Sequence, residues 1–459
     1  MGVVILVAAL LSGLVDRMRL PQVALFLALG AVVGPSGLGL VDFALASPVL
    51  QSIATLALVL VLFTDAVSVD LRAVRTHARL ALLVLGPGTL LTAVLIAVAA
   101  GGVLGLPPAL AALLGAALAS TDPVMVRGLL RGPDLPDDAR LALRLESGLN
   151  DLVVLPIVLV AMAIQGGPGS GAAAAWGELG LRLLVLGPGA GMVVGFAAVA
   201  LLEGMRRRVG IRRDYESLYA LGVAFAAFAA AEAVHGSGFL AAFAAGLTVA
   251  AFDAELCDCF LDYGEATAEM FLLLTFVAFG TSIIWTGLQD LEWRTLTFAA
   301  VALGARSLVL WPALARAGLS PRSRRLITWY GPRGLSSLLL VLLPVFAGIA
   351  GAERLFAPTA LVVLLSVAIH GGALMVSGRG TAAQPAAARP SRERITLDEL
   401  KALQARGERV ILLDVRKDRA WDEADLMAQG AIRMSPDDAP RRAAELALPR
   451  HDWLVAYCA

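Results

Sequence analysis

Residues 109–130 read ALAALLGAALASTDPVMVRGLL, an apolar run interrupted at Ser120-Thr121-Asp122-Pro123. Proline has no backbone N–H, and its ring clashes with the carbonyl four residues earlier, here that of Ala119. We therefore expect a helix that is broken midway, with freed carbonyls beside the carboxylate of Asp122. Hard cations prefer such oxygen ligands, and transporters place ion sites at broken helices near the bilayer midplane. The stretch predicts an intramembrane cation site; the alternative is a plain proline kink with Asp122 facing a cytoplasmic vestibule.

The composition of the whole chain is that of a membrane protein. Of its 459 residues, 58% are hydrophobic and 16% are charged, whereas about 25% are charged in a soluble domain. The mean hydropathy is +0.79. Crossing roughly 30 Å of hydrocarbon takes about 20 apolar residues, and such runs recur over residues 1–378. The fold class predicted is an all-α polytopic membrane protein without a cofactor. The net charge of zero gives no indication of a nucleic-acid partner.

About thirteen stretches are predicted to span the membrane. They are residues 2–15, 21–40, 49–68, 80–101, 109–130, 144–165, 178–202, 215–234, 237–252, 266–287, 293–316, 326–349 and 355–377. Arginines collect in alternate loops, for example at Arg17, Arg75 and Arg206, and basic loops stay in the cytoplasm. We therefore predict an N-terminus outside and a C-terminus in the cytoplasm, in the inner membrane of a bacterium.

A second polar group lies at residues 146–151, ESGLND. On a helix, Glu146 and Asn150 share one face, as do Ser147 and Asp151. Ser147 and Asp151 are thus expected to bind one ion together with the broken helix. A low-dielectric site disfavours the ionised form of a carboxylate, so Asp151 is predicted to exchange a proton for a cation near neutral pH. The alternative is that these groups cap the helix start at the interface.

Two arginines and a further aspartate lie within other spans. Residues 329–334, WYGPRG, predict local unwinding around Arg333, which needs a carboxylate partner in the membrane; Glu146 is the candidate. The alternative is a snorkelling interface arginine. Arg306 is expected to bind the carbonyls of a broken helix. Asp65 is a further candidate ligand, although it is nearly as well explained as a residue close to the cytoplasmic end of its span.

Four pieces of the chain resemble the NhaP-type branch of the monovalent cation/proton antiporter family over about residues 1–378. They are residues 121–123 (TDP), 146–151 (ESGLND), 236–243 (GSGFLAAF) and 331–334 (GPRG), in the expected order. The resemblance implies an inverted repeat, a homodimer with a dimerisation bundle and a six-helix transport bundle, and elevator-like alternating access. It also implies that the chain is a transporter and not an enzyme.

By the same resemblance, the cation site comprises Asp122, Ser147, Asp151 and the backbone of Thr121. Glu146 and Arg333 would form a structural ion pair. The Asn150–Asp151 pair is typical of the electroneutral branch, and it implies exchange of one Na⁺ (or Li⁺) for one proton in pH and sodium homeostasis. The chain departs from the family in one span, where a glutamate often follows Leu-Phe but Thr64 and then Asp65 stand here. Alternatives are K⁺/H⁺ antiport, a membrane-tethered sulfurtransferase, or a persulfide-sensing protein.

The end of the chain has a different character. Residues 379–394 are rich in Ala, Pro, Gly and Arg and are predicted to form a linker. A helix capped by Thr396 and two buried parallel strands, at 410–415 and 453–457, are predicted to follow. Residues 395–459 are thus interpreted as the opening of a small α/β domain.

Three pieces of this tail resemble the first part of a rhodanese domain: residues 412–416 (LLDVR), 430–433 (GAIR) and 455–458 (VAYC). In that family the cysteine after the last of these strands carries sulfur, so the resemblance makes Cys458 the candidate nucleophile. Because the chain stops at Ala459, we expect an incomplete and inactive domain. The alternative is a short α/β tail with an incidental cysteine. Cys257 and Cys259 are interpreted as reduced thiols or, less simply, as a metal pair.

Overall fold

The structure is a computed structural model. It describes residues 22–35, 37–45, 47–69, 71–130, 135–166, 177–208, 213–252, 267–268, 270–271, 273–289, 291–372, 400–401, 403, 405–416, 421, 426–434, 442–443, 445–446 and 453–457. The chain folds into two compact units, Met1–Thr381 and Ala382–Ala459. The boundary falls at the start of the predicted linker, which itself lies outside the described residues.

The regular structure of the first unit is helical throughout the residues described above. Its main helices are α1 (Gln22–Val33), α2 (Pro48–Val67), α3 (Ala78–Leu104), α4 (Pro108–Ala119), α5 (Pro123–Leu130), α6 (Asp137–Gly166), α7 (Leu181–Leu186 continued by Gly187–Arg208), α8 (Arg213–Ala233), α9 (Gly238–Phe252), α10 (273–281), α11 (Trp293–Ala313), α12 (Pro321–Trp329), α13 (Leu335–Phe346) and α14 (Ala352–Gly371). Shorter helical segments lie at Leu71–Thr76, Ile283–Trp285, Thr286–Gln289 and Leu314–Arg316. Segments of π-helix lie at Val84–Leu91 within α3, at Leu181–Leu186 and at Val367–Gly371.

Helices occupy each predicted span that falls within the described residues, and the first predicted span, 2–15, lies outside them. Six of the described helices are long and apolar enough to cross a membrane: Pro48–Val67, Ala78–Leu104, Asp137–Gln165, Gly177–Met205, Trp293–Ala313 and Ala352–Gly371. The total of thirteen spans stays a prediction.

Two of the predicted spans are each split into a pair of shorter helices. Span 109–130 consists of α4 and α5, and span 326–349 consists of α12 and α13. Proline occupies the first helical position of α4, α5 and α12, where its missing N–H costs nothing and its fixed φ suits a helix start. The chain is extended at Ser120, so the helix stops there and starts again at Pro123.

The largest apolar core surrounds these broken helices. It is formed by buried Leu, Ala, Val and Phe side chains of α1 to α4, α6, α10, α11, α13 and α14. A second cluster joins α2 with α7, α8 and α9. A third, which includes Leu143, Leu310 and Ile327, packs the start of α6 against the ends of α11 and α12. The two breaks therefore lie inside packed protein, where irregular backbone is tolerated at membrane depth.

The second unit contains a small parallel sheet with strand order β2-β1-β3. The strands are β1 (Val410–Asp414), β2 (Ile432–Arg433) and β3 (Trp453–Tyr457). β1 and β3 pair in parallel with Val410 opposite Trp453, which confirms the two strands and the orientation predicted from the sequence. β2 was not predicted. Thr396, the predicted cap, lies outside the described residues.

Candidate cation site

The two helix breaks contact each other directly. The backbone N–H of Asp122 donates to the carbonyl of Pro332 at 2.9 Å. The hydroxyl of Ser337 reaches the carbonyl of Ser120 at 3.5 Å, and the Tyr330 hydroxyl donates to the carbonyl of Met125 at 3.2 Å. Unwound backbone from one broken helix is thus hydrogen-bonded by the other.

The carboxylate of Asp122 binds the starts of two helices. Its Oδ2 accepts the backbone N–H of Leu335, the first residue of α13, at 2.7 Å. Its Oδ1 faces the N–H of Met125 in the first turn of α5 at 3.4 Å. Helix N-termini carry partial positive charge and unpaired N–H groups. Asp122, which is only 1% exposed, therefore sits where an anionic side chain is stabilised from both sides.

Asp151 of α6 meets the first break through Ser120. The Ser120 hydroxyl donates to Asp151 Oδ1 at 2.8 Å, and Asp151 lies within electrostatic range of Asp122. The neighbouring Asn150 donates through Nδ2 to the hydroxyl of Thr121 at 2.7 Å and to its carbonyl at 3.2 Å. Consecutive residues of α6 therefore bind consecutive residues of the break.

Arg333 binds the end of α4. Its Nη1 donates to the carbonyls of Ala119 and Ser120 at 2.9 and 3.0 Å, and the side chain is 1% exposed. Carbonyls at a helix C-terminus have no partner within the helix and attract cationic donors. Arg333 therefore supplies the hydrogen bonds that the break removes from α4.

The predicted ion pair between Glu146 and Arg333 is wrong. Glu146 instead pairs with Arg306 of α11 through two hydrogen bonds, Arg306 Nε to Glu146 Oε1 at 2.8 Å and Arg306 Nη2 to Glu146 Oε2. The physical reason is that Arg333 donates to the carbonyls at the end of α4, whereas the planar guanidinium of Arg306 makes two parallel hydrogen bonds to the carboxylate of Glu146.

Arg306 also binds the end of α12. Its Nη1 donates to the carbonyl of Thr328 at 3.0 Å and to that of Ile327, which is the contact with a broken helix expected for it from the sequence. We call the place where the two broken helices meet the crossing. The two half-helices that end at the crossing, α4 and α12, are capped by buried arginines, and the two that begin there, α5 and α13, are capped by Asp122.

The side chain of Ser147 does not bond to Asp151 in this structure. Its hydroxyl faces the carbonyl of Arg144, one turn back in α6, at 3.4 Å. The hydroxyl that binds Asp151 belongs to Ser120, not to Ser147 as predicted. The sequence analysis missed Ser120 as a site residue, although its position in the break, next to Thr121, was a usable signal. Asp65 is buried in α2, and its backbone carbonyl lies near Gly148 of α6. A role for Asp65 as a ligand stays a prediction.

Two glycines let the breaks approach this closely. A Cβ at Gly334 would lie 1.8 Å from Asp122 Oδ2, and a Cβ at Gly331 would lie 2.3 Å from Arg306 Cδ. Both distances are far below contact, so any side chain at either position would displace the charged groups of the crossing. The glycines of the GPRG motif are therefore explained by packing against the site.

Comparison with known proteins identifies the family of the chain. The profile of the family described as "Sodium/hydrogen exchanger, transmembrane" matches residues 3–376. The chain belongs to the sodium/hydrogen exchanger family. This membership confirms the resemblance stated from the sequence motifs and makes the chain a multi-pass membrane protein.

Curated relatives within the sodium/hydrogen exchanger family are named antiporters, which are transporters. The chain is 26% identical over 382 residues to "K(+)/H(+) antiporter NhaP2" of Shewanella sp. (strain MR-4), a match that covers 81% of this chain and 65% of the relative. It is 27% identical over 378 residues to "K(+)/H(+) antiporter NhaP" of Alkalimonas amylolytica, covering 81% and 64%. The chain therefore spans less than two thirds of the length of these relatives.

A solved structure of another exchanger shows the same fold. The sodium proton antiporter MjNhaP1 from Methanocaldococcus jannaschii, at pH 8, matches with a TM-score of 0.66 and 20% sequence identity. The match covers 81% of this chain and 97% of that one. The matched share of the chain is the same as that of the curated relatives.

In the second unit of this exchanger-family chain, Asp414 is the centre of a polar cluster. Its carboxylate accepts from Arg416 Nε at 2.9 Å and from the Tyr457 hydroxyl at 2.8 Å. The hydrogen bonds from Arg416 lower the pKa of Asp414 to about 2. Cys458, the candidate nucleophile, and Cys257 and Cys259 lie outside the described residues, so the interpretation of these cysteines stays a prediction.

Proposed function

We propose that the chain is a secondary antiporter that exchanges a monovalent cation for a proton across the bacterial inner membrane. The observation that carries the proposal is the meeting of two buried carboxylates, Asp122 and Asp151, at the crossing of two broken helices. Ser120 connects them, because it precedes Asp122 by two residues and donates to Asp151 at 2.8 Å. Buried ionisable groups are expensive in a membrane and mark ion pathways.

The two carboxylates differ in what surrounds them, and this difference assigns their roles. Asp122 faces backbone N–H groups of two helix starts, which favour its anionic form. Among the described residues, Asp151 accepts from the hydroxyl of Ser120, and burial favours its neutral form when no cation is near. Asp151 therefore carries the proton, and a cation that enters beside Asp122 displaces it.

Oxygen atoms of the first helix break would complete the coordination of the cation. They belong to the hydroxyl of Ser120 and to the hydroxyl and carbonyl of Thr121. The sequence also predicts Ser147 and Asp65 as ligands, although the Ser147 hydroxyl faces its own helix in the structure. Hard cations take oxygen ligands of these types. Asn150 is neutral and its amide is engaged by Thr121, so only Asp151 of this pair titrates. One cation would exchange for one proton, and the cycle would be electroneutral.

The identity of the cation has two candidates. The sequence motifs favour Na⁺ or Li⁺, whereas both curated relatives described above are named K(+)/H(+) antiporters. Carboxylate, hydroxyl and carbonyl oxygens suit either ion. We take Na⁺ (or Li⁺) as the first candidate and K⁺ as the second.

An inverted repeat, a homodimer and elevator-like movement are part of the proposal. The order of elements supports the repeat, since a long helix, a broken helix and a second long helix occur twice, as α3 to α6 and as α11 to α14. The proposed orientation, with the C-terminus in the cytoplasm, rests on the arginine-rich loops.

The direct test is cation/proton exchange in everted vesicles from antiporter-deficient bacteria that express the chain. A pH-sensitive dye should report proton movement when Na⁺, Li⁺ or K⁺ is added. Electroneutral exchange predicts a rate that does not change when a membrane potential is imposed. The absence of proton movement with all three cations, from protein shown to be folded and inserted, would contradict the proposal.

For the second unit we propose a rhodanese-like domain, joined by the linker 379–394. The parallel pairing of β1 and β3 supports this interpretation. A membrane-tethered sulfurtransferase or a persulfide sensor is the alternative function. Deleting residues 382–459 separates the alternatives. An antiporter should keep its cation/proton exchange without these residues, whereas a sulfurtransferase activity of the tail should disappear.

A further inference from the structure

His370 is a buried titratable residue that the proposed exchange does not use. It lies on the π-helical turn Val367–Gly371 at the end of α14 and is 5% exposed. Turns of π-helix are uncommon and often occur at functional positions. The ring contacts Tyr330 edge-on, with centroids 5.8 Å apart, and lies against Trp329 at 6.0 Å. It therefore packs on the second helix break.

Hydrogen bonds connect His370 to both ends of that break. Its Nε2 lies 3.3 Å from the carbonyl of Trp329, where α12 ends. Its Nδ1 lies 3.1 Å from both the hydroxyl and the carbonyl of Ser366. The same Ser366 hydroxyl accepts the backbone N–H of Arg333 at 2.7 Å, just before α13 begins. The imidazole thus spans the unwound segment from residue 329 to residue 333.

The donors and acceptors in this chain fit a neutral ring. The Ser366 oxygen accepts from Arg333, so its single proton is available for Nδ1 of His370. Nδ1 is then an acceptor, and the ring proton resides on Nε2, which donates to the Trp329 carbonyl. A proton added at Nδ1 would remove the acceptor of the Ser366 hydroxyl and direct the ring to the Ser366 carbonyl, 3.1 Å away. The link from this hydroxyl to Arg333 would then be disturbed.

Carbonyl groups face both ring nitrogens, whereas the charged groups around the ring are guanidinium groups. Arg333 of the break and Arg306 of α11 act on His370 electrostatically, and Tyr330 is the titratable group in ring contact. Glu146 is already paired with Arg306. α13 and residues 283–289, which also pack against α14, contain no charged residue. A positive ring would therefore face two guanidinium groups without a free carboxylate partner among these neighbours.

We propose that neutral His370 is a positioning residue that fixes the second helix break and, through Arg333, the crossing at which the cation binds. The link is short. Ser366 holds the backbone of Arg333, the Arg333 side chain binds the carbonyls of Ala119 and Ser120, and Ser120 donates to Asp151. Acidification of the cytoplasm would charge the ring, loosen the break and weaken cation binding.

The inference rests on the proposed antiport function, and its test compares the apparent KM for the cation at pH 8.0 and 5.0 in everted vesicles, whose bath sets the cytoplasmic pH. His370→Gln keeps a donor near the Nε2 position but does not titrate. We expect its KM at pH 8.0 to be within about twofold of wild type. The rise in KM between pH 8.0 and 5.0 should be smaller than in wild type by at least about threefold.

Two further variants test the hydrogen-bonded link itself. Ser366→Ala and His370→Phe should each raise the KM at pH 8.0 about threefold to tenfold, since each removes hydrogen bonds that hold the break. Ser366→Ala leaves the ring and its packing in place, so it tests the link even if a His370 variant fails to fold. The matched control is His77→Gln, which alters an exposed histidine and should behave as wild type at both pH values.

If wild type exchanges cations for protons and His370→Gln shows the same pH dependence of KM as wild type, the antiport function stands and the inference is overturned. A wild-type KM at pH 8.0 in Ser366→Ala would overturn it as well. Loss of exchange in wild type itself would instead contradict the proposed function.

Discussion

The backbone N–H of Asp122 donates to the carbonyl of Pro332 at 2.9 Å, so one helix break supplies the hydrogen bond that the other lacks. Inside a membrane there is no water to satisfy backbone groups that a broken helix leaves unpaired. Here the partners are the opposite break, two arginines and the Asp122 carboxylate. This arrangement makes the crossing rigid, and it places carboxylate, hydroxyl and carbonyl oxygens together in packed protein.

Gly334→Ala should lower exchange about a hundredfold, because its Cβ would lie 1.8 Å from Asp122 Oδ2 and displace that carboxylate. Gly304→Ala is the matched control, since no atom lies within 4 Å of a Cβ built at Gly304 in α11. Exchange rates in everted vesicles, normalised to inserted protein, measure both. Equal rates in the two variants would mean that the close approach of Gly334 to Asp122 is not needed.

Glu146→Ala should destabilise the protein by about 3–5 kcal/mol, since it leaves the guanidinium of Arg306 buried without its partner. Glu178→Ala is the control. Its pair with Arg182 is exposed, with side chains 60% and 48% accessible, and such pairs contribute little. Thermal unfolding followed by size-exclusion chromatography gives the comparison. A melting temperature that falls equally in both variants would remove the structural role of the Glu146–Arg306 pair.

The breaks were predictable because their causes are local. Pro123, and the glycines and proline around Arg333, disrupt helical hydrogen bonding wherever they occur in a helix. The strands at 410–415 and 453–457 were predictable for a similar reason, since each is a short apolar run of β-forming residues. Burial of Asp122 and Asp151 followed from their position within apolar spans.

The partners of buried charges were not predictable in the same way. Glu146 had two buried arginines as possible partners, and the selection of Arg306 depends on how α11 is rotated against α6, which a single sequence does not encode locally. Ser147 shares a helix face with Asp151, yet the hydroxyl that meets Asp151 comes from Ser120 in another helix. Contacts between distant segments depend on tertiary packing. The spacing along one helix therefore indicated the wrong hydroxyl partner for Asp151.

Ser120→Ala and Ser147→Ala separate the structural assignment of the hydroxyl ligand from the prediction made by helix spacing. Ser120→Ala removes the donor to Asp151 and a possible ligand, so the apparent KM for the cation should rise by at least about fivefold. Ser147→Ala should change the KM less than twofold or so, because that hydroxyl faces its own helix. The reverse order of effects would favour Ser147 as the ligand.

Asp414→Asn should loosen the sheet of the second unit at neutral pH. The pKa of Asp414 falls from 3.8 to about 2 through its bonds to Arg416, so its carboxylate contributes stability above pH 3.8 that is lost as the pH falls towards 2. Hydrogen exchange at Val410–Asp414 should be faster in the variant at pH 7, and the difference should shrink below pH 3.8. A difference that does not depend on pH would contradict the role of this carboxylate.

The most direct measurement is the cation/proton exchange of Asp151→Asn, compared with Asp137→Asn on the same helix. Asp137 is exposed at the start of α6, so its variant should exchange at the wild-type rate. Asp151→Asn should insert and fold but show no proton movement when Na⁺, Li⁺ or K⁺ is added, because the group that carries the proton is gone. Exchange at the wild-type rate in Asp151→Asn would contradict the assignment of Asp151 as the proton carrier.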